Sequence, residues 1–123
     1  MKIFKLLYVE DEPQIREAVC ELMQAPDREI CACASAEEAL EAFGAQAFDL
    51  VVADISLPGL SGTELTRRIV MAKPAQWVTL CSGYPLPHDL SSLGTNVRSL
   101  PKPFEIEDLE ALVIEISSAK ERR

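Results

Sequence analysis

Five short apolar runs alternate with segments of helical spacing, and this alternation constrains the chain more than any other feature. The runs are residues 3–9, 29–34, 48–53, 77–81 and 97–100. Each is too short for a helix and apolar enough for a buried strand. After the first comes a segment over 13–24, with Ile15, Ala18, Val19, Leu22 and Met23 on one helical face and Pro13 suited to a first turn. Ser35 with Glu38 three residues on forms a capping box, opening a helix through Ala39, Leu40 and Phe43 that should stop at Gly44. Ser61 or Gly62 opens another, through Leu65, Ile69 and Val70, that ends before Pro74. The last spans 106–118, with Leu109, Leu112, Val113 and Ile116 aligned. Between them, 84–96 is a poor helix former with prolines, serines and a glycine, and at most two turns near 89–93 are expected.

Strand–helix alternation of this kind calls for an α/β fold: a doubly wound, five-stranded parallel sheet with helices on both faces. Right-handed crossovers leave few topologies, and the expected strand order is 2-1-3-4-5. At 123 residues the chain fits a single domain, and 48 % apolar residues suffice for its core. The third run, "FDLVVAD", is apolar enough to be covered on both sides.

The formal net charge of −8 argues against a nucleic-acid binder, which needs a basic footprint. Arg67-Arg68 and the tail from Lys120 to Arg123 read as solvated helix ends. No apolar run approaches the roughly 18 residues of a membrane span, and the N-terminus lacks the form of a signal peptide, so a cytoplasmic protein without membrane contact is expected. Cys20, Cys31, Cys33 and Cys81 have neither zinc spacing nor histidine partners and read as small apolar fillers.

In a parallel sheet the carboxyl ends of all strands lie on one edge, where ligands bind. The first run ends at Glu10 and Asp11, the third at Asp54, the fourth at Ser82 followed by Gly83, and the fifth near Lys102. Two or three carboxylates gathered there repel one another unless a cation joins them. Hard oxygen ligands suit Mg²⁺. A carboxylate can also act as a nucleophile and form an aspartyl phosphate. Asp54 as nucleophile, Mg²⁺ on Asp11 and Asp54, and Ser82 with Lys102 on the phosphoryl oxygens would meet the charge demands of phosphoryl transfer.

Taken singly, each residue has a plainer explanation. Asp54 could be a turn or cap residue, and Glu12 a favourable charge at a helix N-terminus that points outward. Lys102 could be a surface lysine between prolines, and Ser82 a structural serine. It is their placement at the ends of different strands that points to a common site.

With those residues in view, the chain resembles the receiver domain of two-component response regulators. The matching pieces are "LLYVEDE" (6–12), "DLVVADISLPGLSG" (49–62), "VTLCSG" (78–83) and "LPKPF" (100–104). The resemblance covers essentially the whole chain and implies a flavodoxin-like (βα)5 fold. It implies that Asp54 is the phosphoacceptor, that Asp11 binds Mg²⁺ directly, that Glu10 acts on the metal through water, and that the Ser56 backbone carbonyl completes the metal site. By the same resemblance Ser82 is the hydroxyl switch, Lys102 the phosphate-binding lysine, and the bond before Pro103 often cis. The implied partners are a histidine kinase or histidine phosphotransfer protein. A homodimer or downstream protein would use the face of the fourth helix, fifth strand and fifth helix.

There are two departures from the family pattern. An aromatic residue usually stands three before the lysine, and Ser99 stands there instead. The 84–96 stretch is also a weak helix. Tyr84 and His88 read as ordinary loop residues. Two rival functions fit the same fold. One is a phospho-independent interaction module on the same fold. The other is an aspartate-nucleophile phosphatase, which usually offers a second Asp two residues on, where this chain has Ser56. The expectation is therefore a signalling switch and not a turnover enzyme. The whole chain is expected to be one receiver domain with no output domain, either stand-alone or part of a longer protein.

Overall fold

A computed structural model of the protein describes residues 2–83 and 92–121. Strands β1 (Phe4–Val9), β2 (Arg28–Cys33), β3 (Leu50–Asp54), β4 (Trp77–Ser82) and β5 (Val97–Pro101) form one parallel sheet in the order β2-β1-β3-β4-β5. Helices α1 (Pro13–Leu22), α2 (Ala36–Ala45), α3 (Gly62–Ala72) and α4 (Ile106–Glu121) complete the described elements. The helical turns expected near 89–93 fall largely outside the described residues, as do Tyr84 and His88.

Alternation along β3 explains the two-layered core. Val51 and Ala53 point into a cluster with Ala39 of α2 and Leu65 and Ile69 of α3. Leu50 and Val52 point the other way, to Val19, Met23 and, on α4, Leu109, Val113 and Ile116. The strand is thus covered on both faces, as its unbroken apolar run requires.

Both expected helix caps form. Ser35 Oγ accepts the Glu38 N–H and Ser61 Oγ accepts the Glu64 N–H, each at 3.1 Å. In the first, the Glu38 carboxylate reaches back to the Ala34 N–H at 3.2 Å, one residue earlier than in the usual box. Gly44 does not stop α2. The helix runs one residue further and is capped by the Gln46 N–H on Ala42 O, because Gly44 sits in helical backbone with open space around it.

Helix α1 is shorter than its sequence pattern, ending at Leu22, and only part of the apolar set it carries is buried. Val19 and Met23 are in the core, whereas Ile15 is 41 % and Leu22 61 % exposed. The sheet offers α1 only one flank beside β1 and β2, so the wider stripe stays in solvent. At the other end of the chain, α4 continues three residues past the expected stop at residue 118. All four cysteines are free thiols, with Cys33 and Cys81 buried and the other two half-buried.

Candidate functional site

The acidic edge is built by backbone geometry before any side chain is placed. Strand β1 ends at Val9, and the Glu10 N–H donates to Cys33 O of β2 at 3.0 Å, extending the ladder by one residue. Glu10 is therefore drawn inward and is only 2 % exposed. One carboxylate oxygen of Glu10 accepts the Glu12 N–H at 3.1 Å, closing a tight turn into α1, where Pro13 occupies the first position. Asp11 lies between them, half-buried, and Glu12 points outward as expected.

Asp54 is the last residue of β3. Its Oδ1 accepts the Ser56 N–H at 3.1 Å, fixing the carboxylate over the loop that follows. That loop folds back tightly. The Ile55 carbonyl accepts the Gly62 N–H at 3.0 Å, and a Cβ on Gly62 would lie 2.2 Å from the Asp54 carbonyl oxygen. No side chain fits there, so α3 can start against the end of β3 only with glycine at its first position. Gly59, at φ 76°, supplies the left-handed turn of the loop.

Three acids meet at this edge: one carboxylate oxygen each from Glu10, Asp11 and Asp54 lies within 4.8 Å of the others. Lys102 enters from the far end of β5. Its Nζ is 2.8 Å from Asp54 Oδ2 and 3.3 Å from Glu10 Oε1. Its own backbone N–H donates to Ser82 O at 2.8 Å, tying it to the end of β4, and the Lys102–Pro103 peptide bond is cis. Burial works against the ammonium charge. The Asp54 hydrogen bond and the charges of Glu10 and Asp54 outweigh it, and the net effect raises the lysine above its ordinary value.

Ser82 is buried at the end of β4, directly beside this pair. The structure thus brings together Glu10, Asp11, Asp54, Ser82 and Lys102 at one edge, with Ser56 on the adjoining loop. Three contributors escaped the sequence reading. Arg16, one turn into α1, donates from NH1 to the Glu10 carbonyl at 2.8 Å. A lone base among the acids of residues 10–17 was the signal for it. Glu37 of α2 accepts the Leu60 N–H at 3.3 Å and so tethers the β3–α3 loop. Gly62 was noted as a helix start, not as the residue against which Asp54's carbonyl packs. Ser99 is exposed on β5, so no ring stands at that position to pack behind Ser82.

The response regulator receiver domain is the family whose model matches the chain, over residues 6–114. The chain belongs to this family. Its sheet order is that of receiver structures, including the signal receiver domain of an HD domain-containing protein from Pseudomonas fluorescens, similar in fold with a TM-score of 0.86 at 22 % identity. The receiver of the response regulator TrrA from Thermotoga maritima, solved in complex with Mg²⁺ and BeF, is 34 % identical with a TM-score of 0.80, covering 94 % of this chain and 99 % of that one. Among curated relatives, the transcriptional activator PfeR of Pseudomonas aeruginosa is 37 % identical over 109 residues, 87 % of this chain and 35 % of that protein. The response regulator FleR of the same organism is 33 % identical, over 89 % of this chain and 24 % of that protein. The chain therefore spans about a third or less of the first of these relatives. Receiver domains are phosphorylation-dependent signalling switches rather than turnover enzymes, and they bind Mg²⁺ at an acidic pocket. Among the described residues, no helix is long and apolar enough to cross a membrane.

Proposed function

We propose that this receiver accepts a phosphoryl group on Asp54 from the phosphohistidine of a histidine kinase or phosphotransfer protein. The observation that carries the reading is the convergence of Lys102 on Asp54 and Glu10 from three different strand ends. In the transfer an Asp54 carboxylate oxygen forms the new P–O bond while the P–N bond to the donor imidazole breaks. The imidazole leaves with the electron pair and takes up a proton.

The donor set fits Mg²⁺, which prefers oxygen ligands and commonly sits on one or two carboxylates while keeping several waters. Asp11, Asp54 and the Ser56 carbonyl would hold it directly and Glu10 through water. When bound it would supply positive charge to offset that of the phosphoryl oxygens.

The chain's own residues have separable tasks. Lys102, already on Asp54 Oδ2, is placed to pair with a phosphoryl oxygen once Asp54 is esterified. The Ser56 N–H holds the other carboxylate oxygen and so fixes the orientation of the nucleophile. Ser82, buried beside the pair, would turn its hydroxyl toward the new anion. The phosphoryl group carries about −2 where the carboxylate carried −1, and this charge with its new acceptor oxygens then biases the β4 end and the β5–α4 face between two arrangements. That face is the proposed surface for a downstream protein or a second receiver. It is braced by Arg98, which pairs with Glu115 at 2.7 Å and lies 5.3 Å from the Trp77 ring centre.

The phospho-independent alternative rests on Ser99, whose small, exposed side chain cannot relay a movement of Ser82 as a packed ring would. Intact mass after incubation with acetyl phosphate separates the two. Gain of one phosphoryl group with Mg²⁺, absent in Asp54→Asn, is the expected result. No gain from acetyl phosphate or from a phosphorylated kinase would overturn the switch reading.

A further inference from the structure

Asp11 is the least anchored of the three acids at the edge. The Asp54 carboxylate accepts from the Ser56 N–H and Lys102, and that of Glu10 from the Glu12 N–H and Lys102. Among the described residues, the Asp11 carboxylate makes no hydrogen bond and no ion pair. Its place in the cluster is therefore set by its backbone, that is, by the two rigid peptide groups that flank it.

Both peptides are held. The one after Asp11 is fixed by Glu10, whose Oε2 accepts the Glu12 N–H at 3.1 Å. The one before it carries the Glu10 carbonyl. This group lies beyond the last β1–β3 pair, Val9 with Ala53, and accepts from Arg16 NH1 at 2.8 Å.

Local electrostatics do not explain Arg16. It is the fourth residue of α1, near a helix end that is partly positive and favours acids. Glu10, Asp11, Glu12 and Glu17 are close in sequence, yet among the described residues Arg16 forms no ion pair with a carboxylate. Its guanidinium is committed to a main-chain carbonyl instead. A charge-assisted bond of that length between half-buried groups is among the stronger ones a side chain makes.

We propose that Arg16 is a positioning residue for the metal site: by holding the Glu10–Asp11 peptide it keeps the Asp11 carboxylate in the cluster, in place for a divalent cation. This role rests on the reading of Asp11 as a direct Mg²⁺ ligand. The sign of its effect separates it from plain electrostatics. Arg16 brings positive charge close to the acids, so charge alone predicts that removing it tightens Mg²⁺ binding. Positioning predicts that removing it weakens binding.

The full chain would be titrated with MgCl₂ and followed by backbone amide chemical shifts, well below the melting temperature so that each variant is folded. Arg16→Met is expected to weaken Mg²⁺ about tenfold, the usual scale for losing a group that orients a metal ligand. Arg16→Lys, which keeps a cationic donor, should recover part of the loss. Arg28→Met removes a buried base paired with Glu110 and should lower stability while leaving Mg²⁺ affinity unchanged. Binding unchanged or tightened in Arg16→Met, weakened equally in Arg28→Met, or left unrecovered by Arg16→Lys would overturn the role. Asp11→Asn tells the two failures apart. If it binds Mg²⁺ as the wild type does, or if the wild type binds none, the reading of Asp11 as a ligand fails and the role of Arg16 with it. If Asp11→Asn weakens binding and Arg16→Met does not, the role of Arg16 alone fails.

Discussion

Lys102 and Asp54, 48 residues apart, meet at 2.8 Å between Nζ and Oδ2, and the same ammonium reaches the nearly inaccessible Glu10 at 3.3 Å. Removing the lysine leaves a buried carboxylate beside two like charges. Lys102→Met is expected to lower stability by about 1–3 kcal/mol in metal-free buffer, the cost of an unpaired buried polar group. Urea unfolding measures it. On the proposed function, the variant should also slow phosphorylation by acetyl phosphate by more than about tenfold, the scale of losing one charge-assisted contact to the transferring group.

Mg²⁺ should stabilise the folded chain, because the acid cluster that would hold it is assembled only by folding. A ligand that binds only the native state adds RT ln(1 + [L]/Kd), so the melting temperature should climb with Mg²⁺ concentration. Asp11→Asn and Asp54→Asn should each flatten that climb. In metal-free buffer Asp11→Asn should be at least as stable as the wild type, since it relieves repulsion within the cluster, whereas Asp54→Asn also gives up the pair with Lys102. Equal Mg²⁺ responses in all three proteins would remove the acidic edge as the metal site.

How much of this was legible in the sequence depends on what each feature requires. Glu10, Asp11, Asp54, Ser82 and Lys102 could be grouped because a parallel sheet delivers every strand's carboxyl end to one edge, and strand ends show as breaks in apolar runs. Their distances could not be read, nor could the inward turn of Glu10, which follows from one extra ladder bond to Cys33. The apolar stripe of α1 overstated its burial, because spacing reports a face and not how much of it the sheet covers, and Ile15 and Leu22 remained in solvent. Glu37 acts on Leu60, far along the chain but adjacent in space, with no periodic pattern to announce it, whereas Arg16 reaches Glu10 only six residues away and is marked in the sequence as the lone base among acids.

Gly62 offers a local test of how tightly the site is built. In Gly62→Ala the new Cβ would face the Asp54 carbonyl oxygen at 2.2 Å and Ile55 Cα at 2.9 Å, both backbone atoms that cannot swing aside. Either β3 or the start of α3 must move, costing about 1–3 kcal/mol or more as an overpacked site. Because the displaced atoms belong to Asp54 itself, Mg²⁺ affinity should fall along with stability. Gly44→Ala is the control. Its Cβ meets nothing within 4 Å in helical backbone, so it should raise stability by about 0.5–1 kcal/mol and leave Mg²⁺ binding alone.

Alkaline pH should destabilise the protein through its buried thiols. Burial pushes the Cys81 thiol up to about 12 from an ordinary 9.0, and burial beside Cys31 takes Cys33 to about 12 as well. Below pH 9 both thiols are neutral whether the chain is folded or not, and stability does not depend on them. Above it the unfolded chain releases protons that the folded chain retains, so stability falls as pH rises towards 12. Each thiol contributes a slope of about 1.4 kcal/mol per pH unit within that window. Lys102, also raised, acts in the same direction at the upper end. Urea unfolding midpoints at pH 8 and pH 10.5 would measure the fall. Cys81→Ala creates a cavity and should be less stable at both values, yet it should lose less between them than the wild type. A fall of equal size in wild type, Cys33→Ala and Cys81→Ala would exclude the thiols as its source.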